Sequence, residues 1–264
     1  MEKTLMRPKI HFACLFGVDY ELDIAPYWIR HWQSHQLDYY RIFLHREKSG
    51  IPSSTVKLFQ DAGFYVSCVD GPHSNGILRR ETVGRYAMNI DPEDFIVTAD
   101  ADEFHDLDYH DALQEYDIIS GFLHDHYGAS LEVCDRDPFE QYPHEEKFTG
   151  EPLKNFTPPF LRTTEWPLTR RGKILACRAG DKLLYMGSHV MGEVSSTAKI
   201  LDNQKVHHFA WRESAARKTA VKSYYKKENL KEIFGVVANN PSIREECFAM
   251  HSDLVKRDVA LEIV

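Results

Sequence analysis

Residues 94–104 read Asp-Phe-Ile-Val-Thr-Ala-Asp-Ala-Asp-Glu-Phe, an apolar run of strand-forming residues that empties into three carboxylates, Asp100, Asp102 and Glu103. In an extended chain residues i and i+2 point to the same side, so Asp100 and Asp102 are expected to converge on one point. Two carboxylates that close repel each other unless a proton or a cation lies between them. Oxygen ligands of this kind suit a hard divalent ion, Mn2+ or Mg2+, which often bridges to substrate phosphates. An Asp-x-Asp pair alone is common and usually belongs to a solvated turn. This one is set apart by its place at the end of a strand that reads as buried, because ligands of open α/β sheets bind outside the carboxyl ends of strands.

The elements that would position these carboxylates alternate. Residues 9–16 (KIHFACLF) read as a first buried strand, with Gly17-Val18-Asp19-Tyr20 as its exit turn. Asp23 is expected to cap a helix with Pro26 in its first turn. Ala25, Trp28, Ile29 and Trp32 follow helical spacing, so one face packs inward, and the aromatic stripe reads as core. Residues 39–44 (YYRIFL) form a second strand ending at His45-Arg46. Ser54 is placed to cap a short helix through Asp61 that Gly63 ends, and residues 65–69 (YVSCV) form a third strand. Residues 77–90 read as a helix carrying Arg79, Arg80 and Arg85, and the acidic stretch ends the fourth strand. Strand and helix in alternation with short connections imply a parallel α/β sheet covered on both faces. Neither G-x-G-x-x-G after the first strand nor G-x-x-x-x-G-K-[ST] occurs, which counts against a dinucleotide-binding dehydrogenase and a P-loop enzyme.

The second half is less regular. Residues 116–123 (YDIISGFL) read as a fifth strand running into His124-Asp125-His126-Tyr127-Gly128. Residues 131–166 form a long loop rich in Pro, charge and aromatics, a length that usually signals function or mobility. Residues 173–177 and 182–186 read as two short strands joined at Ala179-Gly180-Asp181, and residues 205–212 as another strand-like exit. A helix over residues 214–230 carries Arg217, Lys218, Lys222, Lys226 and Lys227 on a basic face, by default solvated and alternatively a peripheral membrane contact. Ser242-Ile243-Arg244-Glu245 fits a capping box for a last helix.

Bulk properties bound the rest. The 264 residues suffice for one large α/β domain or two small ones, length favouring neither, and no repeat, low-complexity tract or convincing boundary divides them. A formal net charge of −8 speaks against a general nucleic-acid binder, which needs a basic footprint. No stretch approaches the ~20 apolar residues of a membrane span. Cys14, Cys68, Cys134, Cys177 and Cys247 are scattered without a C-x-x-C pair, which fits reduced thiols and a cytoplasmic setting.

From KIHFACLFGVDYE through IVTADADEF and GFLHDHYG to MGSHV and VHHFAWRES, the chain resembles the nucleotide-sugar-dependent glycosyltransferases of the GT-A fold, in particular the bacterial family-2-like group. That resemblance implies a Rossmann-like, mixed but mainly parallel sheet flanked by helices. It implies a single catalytic domain, residues 1–115 forming the nucleotide-sugar half and 116–264 the acceptor half with C-terminal helices. The donor it implies is a nucleotide diphosphate sugar, most often uridine-linked, held by Mn2+ or Mg2+ on Asp100 and Asp102. The acceptor is a glycan or other hydroxyl, as in polysaccharide biosynthesis, and transfer is with inversion. Fold relatives often add a histidine ligand near the end of the domain; His208 matches best, with His189 as competitor. Glu103 would orient a ligand or face the sugar. Asp125 falls where the family carries an acid and is the candidate general base, with Glu132 and Glu165 as alternatives. The family pattern there is Asp-Arg, and His126 replaces the arginine. Gly17, Asp19 and His45 stand where the fold places the nucleotide, and Arg79 or Arg80 would meet the diphosphate.

Three other readings compete. A metal-dependent phosphohydrolase or nucleotidyltransferase also uses paired carboxylates at a sheet edge, but lacks here the surroundings of a nucleophilic Asp. A zinc hydrolase on His124, Asp125 and His126 has a chemically possible spacing, without an H-E-x-x-H. A catalytically inactive GT-A binding module has the intact Asp100/Asp102 pair against it.

Overall fold

The computed structural model describes residues 7–46, 50–70, 78–128, 132–147, 173–181, 197–209 and 212. The first strand, β1 (Ile10–Gly17), is buried along nearly all its length. Its alternating side chains part between two cores. Phe12, Cys14 and Phe16 join Trp28, Trp32, Phe59 and Phe64 on one face, while Ala13 and Leu15 join Phe43, Val83, Ala87 and Ile96 on the other. A strand apolar on both sides requires cover on both faces, which is why its sequence lacks polar alternation.

After the short helix α1 (Val18–Glu21), α2 (Ala25–Ser34) lays Ala25, Trp28, Ile29 and Trp32 on the first core, as its spacing predicts. Asp23 does not cap it. The residue before the helix is Ile24, with no side-chain cap, because the Asp23 carboxylate is taken by Arg212 and the Cys134 amide. Strand β2 (Tyr39–Arg46) follows, then α3 (Ser53–Asp61), whose N-terminal neighbour is Pro52, so Ser54 lies inside the helix rather than capping it. Gly63, at φ 84°, takes the left-handed conformation that closes α3 and turns the chain into β3 (Tyr65–Asp70). The helix expected over residues 77–90 is instead interrupted: a π-helical turn (Arg80–Gly84) precedes α4 (Arg85–Met88). Such widened turns occur frequently beside functional sites. This one directly follows Arg79, whose guanidinium reaches Asp100.

Strand β4 (Phe95–Thr98) lies beside β1, and the remaining strands are β5 (Glu103–His105), β6 (Ile118–Tyr127), β7 (His144–Lys147), β8 (Lys173–Arg178) and β9 (Ile200–His208). The sheet order is β3-β2-β1-β4-β8-β6-β9-β5, with β7 added to β6. Strands β3, β2, β1 and β4 are parallel, β8 runs antiparallel between β4 and β6, β6 and β9 are parallel, and β5 closes antiparallel on β9. The fold is thus mixed α/β, its N-terminal half all parallel and its second half combining the parallel β6–β9 pair with antiparallel neighbours. The strand order reverses at β1, and such a switch point leaves a crevice at the carboxyl ends of the flanking strands.

The fifth long strand extends past its expected end to Tyr127, so His124, Asp125 and His126 are strand residues paired with β7 and β9. Within the long loop, α5 (Pro138–Gln141) and β7 carry regular structure. Residues Ala179–Asp181 form a 3-10 turn. The strand expected over 182–186, His189, Glu165, the basic helix and the final capping box lie outside the described residues.

Candidate active site

The expectation that Asp100 and Asp102 share one side of an extended chain does not hold. Past Thr98 the backbone turns, with the Glu103 amide donating to the Asp100 carbonyl at 3.2 Å, and β5 begins at Glu103. The i, i+2 rule applies only while the chain is extended. The turn sends the two carboxylates to different partners.

Asp100 faces cations. Arg79, 1% exposed, reaches its Oδ1 through Nη1, and Lys173 Nζ, also 1% exposed, lies 2.6 Å from its Oδ2. Lys173 Nζ also bonds Glu103 Oε1, while Glu103 Oε2 accepts from the Asp100 amide at 2.9 Å. Burial opposes the Glu103 charge, but Lys173 outweighs it and brings the carboxyl down to about 2. Burial likewise works against the charges of Arg79 and Lys173, and Asp100 and Glu103 together raise both above their ordinary values. The Arg79 Nε and Nη2 atoms are buried with no hydrogen-bond partner among the described residues. Cys14 lies against this cluster, but burial pushes its thiol well above the ordinary value, which rules out a ready nucleophile.

Asp102 faces His208. Strand β9 lies between β5 and β6, and its register sets His208 opposite Glu103 on one side and Asp125 on the other. His208 Nδ1 lies 2.5 Å from Asp125 Oδ1, and Nε2 lies 3.6 Å from Asp102 Oδ2. Burial lowers the imidazole's affinity for a proton, yet Asp102 and Asp125 outweigh it and raise it to about 9. The Asp102 carbonyl accepts from the Phe209 amide at 2.9 Å, and the Asp100 carbonyl accepts from Trp28 Nε1 at 3.2 Å, so the turn is anchored at both ends.

Three residues that sequence reasoning did not single out complete the surroundings. Lys173 was read only as the first residue of a strand. Arg212, fully buried, bonds Glu21, Asp23 and the Phe209 carbonyl, tying the exit of β9 to the loop after β1. Glu21 is buried as well. Their signal in the sequence is faint: ionisable residues next to apolar runs, which burial alone promotes.

The residues assigned to the nucleotide gather at the same edge. Gly17 pairs with His45 in the β1–β2 register, and Asp19 accepts from Arg46 Nε at 2.9 Å. Arg80 begins the π-helical turn. The Glu132 backbone carbonyl accepts from the Tyr142 hydroxyl at 2.9 Å. The zinc reading built on His124, Asp125 and His126 fails on strand alternation, which sets Asp125 on the opposite face from the two histidines. Among the described residues, the group of three metal-ligand side chains whose donor atoms lie within 4.8 Å of one another is His126, Glu145 and His207; Asp100, Asp102 and His208 are not so gathered.

No family model and no curated protein matches the chain. Solved structures similar to it include HddC from Yersinia pseudotuberculosis, at 11% identity over 77% of this chain and 95% of that one, TM-score 0.39. A 4-diphosphocytidyl-2C-methyl-D-erythritol synthase aligns at 14% identity over 67% of this chain and 78% of that one, TM-score 0.36. The mannosyltransferase PcManGT from Pyrobaculum calidifontis, solved with GDP-Man and Mn2+, aligns at 12% identity over 98% and 82%, TM-score 0.36. At TM-scores this low, these likenesses carry no functional weight.

Proposed function

We propose that this protein is a glycosyltransferase that takes a nucleotide diphosphate sugar, with uridine as the first base to try, and passes the sugar to a hydroxyl of a glycan acceptor with inversion, using Mn2+ or Mg2+. The observation that carries the reading is the Asp102–His208 pair beside the β1 switch point, with Asp125 behind it.

The donor set fits a divalent ion. Asp102 Oδ2 and His208 Nε2 stand 3.6 Å apart, too far for a hydrogen bond. Ligand bonds of about 2.1 Å place two donors of one ion at a comparable separation. With Nδ1 bonded to Asp125, His208 has Nε2 left for a metal, the arrangement in which a carboxylate fixes the ring of a ligating histidine. Asp100 would join only by leaving Arg79 or Lys173. An ion held there supplies Lewis-acid stabilisation to a departing diphosphate.

The chain's own side chains supply the rest. Arg79, whose buried Nε and Nη2 lack partners among the described residues, has donors to spare for phosphate oxygens. Lys173 keeps Asp100 and Glu103 from repelling that same anion. Asp125 is buried and bonded to His208, so we assign it to orienting that ring rather than to deprotonating the acceptor.

The test is release of nucleotide diphosphate from a panel of nucleotide sugars, with and without Mn2+. Metal-dependent release from one donor, abolished in Asp102→Asn, supports the transferase, and NMR of the product anomer reads inversion. Metal-dependent release of nucleoside monophosphate and sugar phosphate instead would favour a phosphohydrolase. Thermal stabilisation by nucleotide with no turnover would favour a binding module.

A further inference from the structure

On the face of the sheet opposite the Asp125–His208 bond, two imidazoles meet in an arrangement their own hydrogen bonds leave unresolved. His126 Nε2 lies 2.8 Å from His207 Nδ1. The other nitrogen of His126, Nδ1, lies 3.1 Å from the Tyr142 carbonyl oxygen, which only accepts, so His126 carries its proton on Nδ1. The other nitrogen of His207, Nε2, lies 3.4 Å from Asp106 Oδ2, which offers an acceptor to a proton carried there. In that tautomer the two nitrogens that face each other are both bare lone pairs. Lone pairs at that distance repel, and a cation between them removes the conflict. Glu145 stands directly across from His126 in the β6–β7 register, with Oε2 3.7 Å from His126 Nε2.

We propose that His126, His207 and Glu145 form a second metal site, for a borderline divalent ion of the zinc class. Two imidazole nitrogens and one carboxylate oxygen match the donor chemistry of Zn2+ rather than that of the oxygen-loving Mg2+. The supporting partners are of the kind that ligating histidines have, a backbone carbonyl on one and a carboxylate on the other. Phe139 and Phe209 pack edge-on and stacked against the rings, giving the site apolar walls. Glu145 is exposed and gives an ion a way in. It is at present shared, with Oε2 2.6 Å from Lys205 Nζ and Oε1 2.7 Å from His124 Nδ1, so a bound ion draws Oε2 from the lysine. An occupied site would clamp β7 to β6 and β9 and fix His207, the chain neighbour of His208.

The full chain, without a polyhistidine tag and stripped by chelator, is titrated with Zn2+ by calorimetry and with Co2+ by visible absorption. One equivalent of Zn2+, with tetrahedral Co2+ bands, is expected to remain in Asp102→Asn, where the first site is broken. His126→Gln and Glu145→Gln should each weaken binding by at least about tenfold, the scale of a disturbed metal site. Glu145→Gln, on an outer strand, keeps the test readable if His126→Gln fails to fold. Absence of binding, which would mean the two rings share a proton, overturns the proposal. So does an affinity that both variants leave unchanged, or one that only Asp102→Asn removes.

Discussion

The Nδ1 of His208 lies 2.5 Å from Oδ1 of Asp125, the bond on which the proposed orienting role of Asp125 rests. A carboxylate engaged this way sets the tautomer and angle of a ligating ring, and loss of such a partner typically costs 10–100-fold in metal affinity or activity. Asp125→Asn is therefore expected to raise the Mn2+ concentration needed for half-maximal turnover by about tenfold or more. Metal titration of the variant checks this. A fall in kcat with an unchanged Mn2+ requirement would return Asp125 to the role of general base.

Lys173 holds two carboxylates at once while almost wholly buried. Removing one member of a buried ionic group leaves the other charge unpaired, at a cost of about 3–5 kcal/mol. Lys173→Met is expected to lose stability on that scale in urea unfolding. Lys173→Arg keeps the charge and should lose less. Equal stability of Lys173→Met and the parent chain would show that the cluster is not holding the turn.

Acid should unfold the protein early. The His105 amide donates to His31 Nε2 at 3.0 Å, and His35 Nε2 lies 3.3 Å from the same atom. Burial first, then the neighbouring histidines, brings His31 down to about 3 and His35 to about 4. Unfolded histidines take a proton near pH 6.5. Between pH 6.5 and 4 the unfolded chain thus binds protons that the folded one refuses, and stability falls as the pH falls. Each histidine contributes on the order of 1–2 kcal/mol by pH 5. The unfolding temperature at pH 7.5 and pH 5 measures this, and His31→Gln should narrow the difference.

The first four strands, the core face of α2 and the acidic exit of β4 were legible in the sequence because each rests on local periodicity over a buried stretch. Asp102 and His208 were legible as a pair only through motif order, and strand register brings them together. The turn at residues 100–103 was not legible, since apolar alternation says nothing about where a strand stops once charges begin. Lys173 and Arg212 were hidden for a related reason. A lysine at a strand end reads as solvated, and only tertiary structure shows carboxylates from distant segments folding over it. Asp23 illustrates the converse, a good local cap diverted by a long-range arginine.

Gly121 offers a test of how tightly the strands that carry the site must meet. In the β6–β9 pairing it lies opposite Gln204, beside a register shift. A Cβ at position 121 would run into the Gln204 carbonyl oxygen and stand 2.9 Å from Leu175 Cδ1. The backbone oxygen cannot rotate away as a flexible side chain would, so the strands must part. Overpacking of this kind costs about 1–3 kcal/mol, which in a chain of this size lowers the unfolding temperature by about 2–4 °C per kcal/mol. The same two strands present Asp125 and His208 four residues further on, so Gly121→Ala should weaken Mn2+ binding as well as stability. Thermal unfolding and metal titration of the one variant read both. An unfolding temperature matching the parent's would mean that β6 and β9 approach less closely at Gly121 than this clash requires.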